Sequence, residues 1–295
     1  MFRVKGIIVP ILTPLHEDES VNETELRNQV NRLIKAGVHG IFPAGTNGEG
    51  YILSRDEKKA ILKIVVDEVN GRVPVYAGTG CISTKDTVEM SLFAEHVGVD
   101  ALSIITPSFA KASQQELYEH YKTVARAVSL PIVLYNIPAR TGNHLEAATV
   151  EKLSRIENII GVKDSSGDFN TMLGYIDATK DRDFAVLSGN DALILWNLLA
   201  GGAGSVSGCA KVFPKTIAGI YESYVKNDLD RAKELQYKVY PLRACFKHGN
   251  PNTVIKKAVQ LLGYPVGNCR KPFDLISDEG INMLQGVLDD NASLE

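Results

Sequence analysis

The sequence predicts an α/β protein in which strands and helices alternate and close into a (β/α)8 barrel, the TIM barrel, with a C-terminal helical appendage. One observation is a set of eight short apolar runs, roughly thirty residues apart and bounded by Gly, Pro or Asn, as buried strands are. The other is the helical spacing of the segments between them. The runs are GIIVPI (6–11), GIFPAG (40–45), VPVYAG (73–78), ALSIIT (101–106), PIVLYN (131–136), IIGVK (159–163), FAVLSG (184–189) and GSVSG (204–208).

The segment after the first run shows the helical pattern clearly. Its apolar residues between Leu26 and Ile34 recur at i, i+4, i+7 and i+8, which places them on one helix face. Asn22 and Glu25 have the spacing of a helix start, and Gly37 marks the end. The same start signal recurs later, at Ser54 with Glu57, Ser83 with Asp86, and Ser113 with Glu116.

Strands that alternate with helices form right-handed βαβ units and a parallel sheet. Eight such units favour a closed barrel, and a doubly wound open sheet is the alternative. About ninety residues follow the eighth run, more than one helix needs, and they predict three further helices, from Ala232, over 252–262 and over 278–288. We therefore expect the barrel over 1–225 and helices packed on it over 226–295. No Gly/Ser/Pro tract separates the two parts, so a single domain is expected.

Composition narrows the class of protein. A chain of 295 residues with 44% hydrophobic and 23% charged residues fits one globular barrel domain. A net charge of −3 argues against nucleic acid as a partner. Apolar runs are too short for a membrane helix, residues 1–14 lack a signal-peptide cleavage site, and the four cysteines form neither a metal pair nor a disulfide framework. A cytoplasmic protein is expected.

The stretch IIGVKDSSGD, over 159–168, indicates chemistry because an apolar strand runs straight into Lys163. Burial removes hydration from an ammonium and disfavours its charged form. A lysine that is partly neutral can attack a carbonyl and form a Schiff base. The alternative is a lysine that extends to solvent or pairs with Asp164.

Active sites of such barrels lie at the C-terminal ends of the strands. Schiff-base catalysis needs an amine, a hydroxyl that carries protons, and small donors that hold a carboxylate. The C-terminal strand ends of the predicted barrel carry residues of these kinds. They are Thr46 and Asn47 after the second strand, Tyr135 and then Arg140 after the fifth, Lys163 after the sixth, and Val206 at the eighth.

Ordinary interpretations of these residues remain open. Tyr135 could be a half-buried core aromatic and Arg140 a surface cation. The loop GTNGEG could be a tight turn or could bind phosphate, although it matches neither common phosphate-loop pattern. Glu49 is expected to accept hydrogen bonds from loop amides and not to be a catalytic acid. The six histidines show no paired ligand spacing, so neither a metal nor a cofactor is predicted.

Three motifs resemble those of the dihydrodipicolinate synthase and N-acetylneuraminate lyase family, and the resemblance spans nearly the whole chain. GTNGEG is similar to the family's GTTGE or GSTGE loop, YNIPARTG to YNxPxRTG, and GVKDSSGD to its Schiff-base strand. The resemblance implies a barrel with C-terminal helices, assembled as a homotetramer of tight dimers. It also implies that Lys163 forms an imine with pyruvate and that Tyr135 donates and accepts protons.

The resemblance assigns the remaining site residues as well. Thr46 would orient Tyr135 and relay protons, and the loop from Gly45 to Asn47 would bind the carboxylate of pyruvate. Val206 would contact pyruvate through its backbone, and Arg140 would hold the carboxylate of aspartate semialdehyde.

The chain departs from the family pattern in two places. Asn47 stands where a second hydroxyl is usual, although its amide can still donate to a carboxylate. After the fourth strand the family often has TPYY, with a tyrosine that reaches the neighbouring subunit's site to complete a proton relay. Here the residues are Thr106-Pro107-Ser108-Phe109, and phenylalanine carries no proton.

Two reactions fit these residues. The first, which we predict, is the condensation of pyruvate with aspartate semialdehyde by a synthase of lysine biosynthesis. The second is the cleavage of a 2-keto-3-deoxy acid, such as 4-hydroxy-2-oxoglutarate or 2-keto-3-deoxygluconate, to pyruvate and an aldehyde. Dehydratases built on the same imine, and a non-catalytic barrel that senses a ligand, are further alternatives.

Overall fold

The computed structural model describes residues 3–295, apart from the side chain of Leu294; Met1 and Phe2, the first residues of the predicted barrel segment, lie outside the described residues. Within 3–295, eight strands form one parallel sheet in the order β2-β1-β8-β7-β6-β5-β4-β3. The strands are β1 (Gly6–Val9), β2 (Gly40–Ile41), β3 (Tyr76–Gly78), β4 (Ala101–Ile105), β5 (Ile132–Asn136), β6 (Ile159–Asp164), β7 (Ala185–Ser188) and β8 (Gly204–Val206). Each predicted run therefore coincides with a strand, and β6 extends one residue beyond its run, to Asp164.

The two terminal strands of that order, β2 and β3, meet and close the barrel. Ile41 pairs with Val75 in a parallel bridge. The amide of Ile41 donates to the carbonyl of Pro74 at 3.0 Å, and the amide of Gly78 donates to the carbonyl of Pro43 at 3.0 Å. An open doubly wound sheet has no such contact, so the predicted closed barrel is confirmed and its alternative is wrong.

Twelve α-helices lie within residues 3–295, on the outside of the strands or after them. They are α1 (Glu23–Lys35), α2 (Arg55–Val69), α3 (Thr84–His96), α4 (Gln114–Ala127), α5 (Pro138–Thr141), α6 (Ala147–Leu153), α7 (Phe169–Thr179), α8 (Ile194–Leu199), α9 (Pro214–Val225), α10 (Leu229–Ala244), α11 (Pro251–Leu261) and α12 (Asp278–Asn291). The short α5 was not predicted. Among these helices, none is both long and apolar enough to cross a membrane.

The four predicted helix starts are confirmed by their capping bonds, which satisfy amides that the first helical turn leaves free. Two of them, at Ser54 and Ser113, are complete capping boxes in which the glutamate three residues later also returns a bond to the cap. The side chains of Asn22, Ser54, Ser83 and Ser113 accept from the amides of Glu25, Glu57, Asp86 and Glu116.

Two layers of apolar side chains hold the barrel. The smaller layer fills its interior and includes Ile8, Phe42 and Val206, and the larger one lies between the strands and the helices. Side chains of α10, α11 and α12 belong to that larger layer, so the C-terminal helices share a core with the barrel. The boundary between the barrel segment and the C-terminal helices, placed between residues 225 and 226, stays a prediction. Asn250, the N-cap of α11, lines a cavity at the C-terminal ends of the strands, and Asn252 in the first turn of α11 bonds to the loop after β2.

Candidate active site

Tyr135 and Lys163 lie opposite each other at the ends of neighbouring strands. They are register partners in the parallel pair β5 and β6, and their exposed fractions are 3% and 5%. Lys163 Nζ lies 3.7 Å from the centroid of the Tyr135 ring and 5.6 Å from that of Phe42. The sheet register therefore places a buried amine against a phenol, as the strand-end prediction requires.

The next residue pair joins the two strand ends. Asn136 lies opposite Asp164, and its Nδ2 donates to Asp164 Oδ1 at 2.8 Å. Ser166 Oγ donates to the other carboxylate oxygen at 2.6 Å. Burial raises the pKa of Asp164, against the opposing effect of the bonds from Ser166 and Asn136. Because Lys163 is buried and Asp164 is engaged by these groups, the alternative of a solvent-exposed or Asp164-paired lysine is wrong.

Thr46 connects the second strand to the same pair. Its Oγ1 lies 3.2 Å from the hydroxyl of Tyr135. Thr46 begins a 3₁₀ turn, Thr46–Gly48, that follows Gly45. A Cβ on Gly45 would lie only 2.9 Å from Cζ of Phe42, so any other residue at that position would force the Phe42 ring to shift.

The surroundings of Tyr135 favour proton transfer. Burial raises the pKa of its hydroxyl, but the neighbouring Lys163 ammonium and hydrogen bonds with Thr46, Lys163 and Ser165 outweigh burial, so the net pKa is lowered. A phenol whose pKa lies closer to neutrality exchanges its proton more readily with a substrate. Tyr135 is thus suited to both donate and accept a proton.

A cavity of about 460 Å³ opens at this end of the barrel. Gly45, Thr46, Tyr135 and Arg140 line it, together with Phe42, against which Lys163 Nζ lies. Arg140 is exposed and belongs to the short helix α5. Outer walls are formed by Tyr51 and Phe273, whose rings meet edge to face with centroids 5.4 Å apart.

Three of the predicted site residues do not line this cavity: Lys163, whose Nζ lies against the Tyr135 ring, and the binding residues Val206 and Asn47. Val206 ends β8, is 4% exposed and packs inside the barrel. The Asn47 side chain turns away from the cavity, since its Oδ1 accepts from Lys211 Nζ at 2.8 Å and its Nδ2 donates to Asn252 Oδ1 at 2.8 Å. The side chain of Asn47 is therefore occupied by the protein itself, and a donor from this residue to a carboxylate must come from its backbone.

Glu49 has the structural role that the sequence predicts. It is 1% exposed, its Oε2 accepts from the amide of Arg270 at 2.9 Å, and its Oε1 pairs with Lys256 Nζ at 2.6 Å. Its backbone is left-handed, with φ 58°. These bonds fasten the loop that begins at Gly45 to the C-terminal segment.

Sequence reasoning missed Lys211 and Asn252. Lys211 follows β8 in a short 3₁₀ turn, Cys209–Lys211, and is 1% exposed. Its signal was present, because Lys211 is a single cation between Ala210 and Val212 in an otherwise apolar segment. Asn252 gave no comparable signal, because its contact with the loop joins residues about two hundred positions apart.

Within residues 3–295 no group of three or more His, Cys, Asp or Glu side chains is placed to hold a metal ion. The cysteines, Cys81, Cys209, Cys245 and Cys269, are free thiols.

The chain matches the model of the dihydrodipicolinate synthetase family over residues 3–290. It is 44% identical to the 4-hydroxy-tetrahydrodipicolinate synthase of Methanopyrus kandleri over 97% of this chain and 96% of that protein. It is 40% identical to the enzyme of the same name from Methanoculleus marisnigri, over 96% of this chain and 98% of that protein. The dihydrodipicolinate synthase of Acinetobacter baumannii, solved in complex with pyruvate, superposes with a TM-score of 0.94 at 33% identity and covers 99% of both chains.

Proposed function

The chain belongs to the dihydrodipicolinate synthetase family, and we propose that it is a 4-hydroxy-tetrahydrodipicolinate synthase that condenses pyruvate with aspartate semialdehyde. The observation that carries the proposal is a buried lysine against a phenol whose hydroxyl contacts a threonine, where the phenol, the threonine and a guanidinium line one cavity. The relatives that share its length and 40–44% of its residues bear that enzyme's name, which favours condensation over the cleavage of a keto-deoxy acid.

In the proposed reaction the Lys163 amine attacks the keto carbon of pyruvate, and water leaves to give an imine. Loss of a proton from the methyl group then forms an enamine, whose carbon attacks the aldehyde of the second substrate. The amino group of that substrate closes the ring by displacing Lys163 from the imine carbon. Tyr135 moves the protons of these steps, and Thr46, 3.2 Å from its hydroxyl, orients it and relays them.

The two carboxylates are held at different places. The backbone of the loop from Gly45 to Asn47 receives the carboxylate of pyruvate, because the first amides of a helical turn have no partner inside the turn. Val206 contacts pyruvate through its backbone at the end of β8. Arg140 receives the carboxylate of aspartate semialdehyde, for which a planar guanidinium offers two parallel donors.

Assembly is a further part of the proposal. Phe109 is 97% exposed and has a left-handed backbone, with φ 77°, which is unfavourable for a bulky residue in isolation. A contact with another subunit would remove this aromatic ring from water. We include a homotetramer built from tight dimers, and a cytoplasmic location, in the proposal.

The test is a direct assay of the purified protein with pyruvate and aspartate semialdehyde, in which the product is reduced by an added reductase and the loss of its nicotinamide cofactor is followed. Wild type should turn over, and Lys163→Ala should not. In a parallel assay, any release of pyruvate from 4-hydroxy-2-oxoglutarate should be much slower than the condensation. Faster pyruvate release than condensation would overturn the proposal in favour of an aldolase.

A further inference from the structure

Lys211 is a buried cation beside the candidate site that the reaction scheme does not use. It is 1% exposed, and its Nζ donates to Asn47 Oδ1 at 2.8 Å and to the carbonyl of Pro10 at 3.2 Å. Within residues 3–295 no carboxylate lies at ion-pairing distance from it, in contrast to Lys256, the other fully buried lysine, which pairs with Glu49. A buried ammonium without an ion pair is costly, and its position therefore calls for a compensating role.

The bonds of Lys211 lead directly into the loop at the cavity. Lys211 holds Asn47 through the side-chain oxygen, and Asn47 Nδ2 donates to Asn252 Oδ1 at 2.8 Å. Asn252 Nδ2 in turn donates to the carbonyl of Thr46 at 2.8 Å. Thr46 is the residue whose hydroxyl contacts Tyr135. One continuous hydrogen-bonded chain thus runs from the buried ammonium to the residue that orients the proton donor.

The groups around Lys211 determine how it titrates. The pKa of Lys211 is lowered to about 7, with burial as the largest cause; the charges of Asp191 and Cys209 oppose this shift, the charge of Lys163 adds to it, and Cys269 opposes it. The carboxylate of Asp191 is held by Ser207 and by Arg243 at 3.7 Å. Burial keeps the pKa of Cys209 well above its usual value and raises that of Cys269 to about 12, so neither thiol titrates in the same range as Lys211.

We propose that Lys211 is a positioning residue for the keto-acid substrate, which fixes the carboxylate-binding loop through Asn47 and supplies the positive charge behind it. The inference rests on the proposed function, since that function places the pyruvate carboxylate at this loop. It explains why Asn47 can replace a hydroxyl: the side chain serves as the acceptor for a buried cation while the loop backbone faces the substrate. Asn47 and Lys211 are then one functional unit.

Because Lys211 can lose its charge, its effect on pyruvate binding should depend on pH. Below about pH 7 Lys211 carries its proton and attracts the carboxylate, and above that value the proton is lost and the attraction fades. Removal of the lysine should therefore weaken pyruvate binding at low pH and matter less at high pH. A role in packing alone would weaken binding by the same factor at every pH.

The experiment measures the pyruvate concentration that gives half-maximal trapping at Lys163 with borohydride, from about pH 6 to about pH 9, on either side of that pKa. The proteins are wild type, Lys211→Met, Lys211→Gln, and Lys226→Met as a control that removes an exposed lysine from the opposite end of the barrel. Relative to wild type, both Lys211 variants should need about tenfold more pyruvate at the lowest pH, because the positive charge behind the loop is lost, and nearly the same amount at the highest. Lys226→Met should match wild type throughout.

A ratio that stays within about twofold at every pH, or one that is raised equally at every pH, would overturn the proposal. Lys211→Gln keeps a hydrogen-bond donor and protects the test against a Met variant that does not fold. Absence of any trapped pyruvate on wild type would instead overturn the proposed function. A double-mutant cycle with Asn47→Ala tests the pathway: the two changes should be non-additive, and strict additivity would show that Lys211 does not act through Asn47.

Discussion

Tyr135 and Lys163 are register partners across β5 and β6, and Lys163 Nζ lies 3.7 Å from the centroid of the Tyr135 ring. The parallel ladder sets this contact, and the bond between Asn136 and Asp164, one residue further, prevents the strand ends from separating. Both partners are buried in the protein and need no loop movement to meet. The site is thus organised before substrate arrives.

Tyr135→Phe should lower kcat by about 10²–10⁴-fold, the usual contribution of a general acid–base group, and should affect imine formation much less. The ring that contacts Lys163 remains in this variant, and only the hydroxyl near Thr46 is lost. Steady-state kinetics and borohydride trapping on the same preparation separate the two effects. A fall in kcat below about threefold would point to a packing role for Tyr135.

Arg140→Ala should raise KM for aspartate semialdehyde about ten- to a hundredfold, because a charge-assisted bond to its carboxylate is lost. Arg140 is an exposed residue in the cavity wall, so the change should leave the fold intact. Trapping of pyruvate on Lys163 should be nearly unchanged. Arg155→Ala, which removes an exposed arginine from a surface pair with Glu151, serves as the matched control. Equal KM values for the Arg140 and Arg155 variants would show that Arg140 is not a substrate ligand.

Phe109→Tyr should raise kcat several-fold in the proposed homotetramer. The family often has tyrosine at this place in the sequence to complete a proton relay with the neighbouring subunit, and Phe109 is exposed but lacks the hydroxyl. Kinetics and the mass of the assembly, from light scattering, should be measured together. A variant that assembles like wild type but has unchanged kcat would show that the reaction does not use such a relay.

Lys211→Met should stabilise the protein, and the gain should be largest at low pH. The pKa of Lys211 is about 7 in the folded protein and 10.5 in an ordinary lysine, so between these values the unfolded chain binds more protons and stability rises with pH. The cost of burying Lys211 is therefore fully present below about pH 7 and disappears as the pH approaches 10.5. Replacement of buried ionic groups by apolar ones yields up to about 1–4 kcal/mol. Thermal unfolding at pH values on both sides of 7 should show a gain in Tm that shrinks as the pH rises, and a pH-independent change in Tm would contradict this linkage.

The barrel was predictable because each strand is short, apolar and bounded by turn residues, and because capping pairs such as Ser54 with Glu57 mark the helices. The length of the strands was less predictable. The second run, over 40–45, contains only a two-residue strand; Phe42 and Pro43 still bond to neighbouring strands, and the chain turns at Ala44, with φ 56°, into the loop that carries Thr46. Helix α5 was not predictable, because a single helical turn is too short to show a repeating pattern of apolar residues.

The site was predictable where a strand end and a motif coincide, as at Lys163 and Tyr135. It was not predictable where a side chain could turn either way. Asn47 was expected to face the substrate. Instead, its side-chain oxygen accepts a hydrogen bond from Lys211, 164 positions along the chain, and its side-chain nitrogen donates one to Asn252. Only the folded chain shows that these groups are adjacent, because nothing in the local sequence pairs them.

The most direct test of the account is the site of covalent attachment of pyruvate. Borohydride reduction in the presence of pyruvate, followed by digestion and peptide mass analysis, should place one adduct on the peptide that contains Lys163, and Lys163→Ala should remain unmodified. Lys211 is the informative competitor, since burial lowers its pKa to about 7 and part of it is a neutral amine at neutral pH. An adduct on Lys163 alone is the predicted result, and an adduct on Lys211 or any other lysine, with Lys163 unmodified, would contradict it.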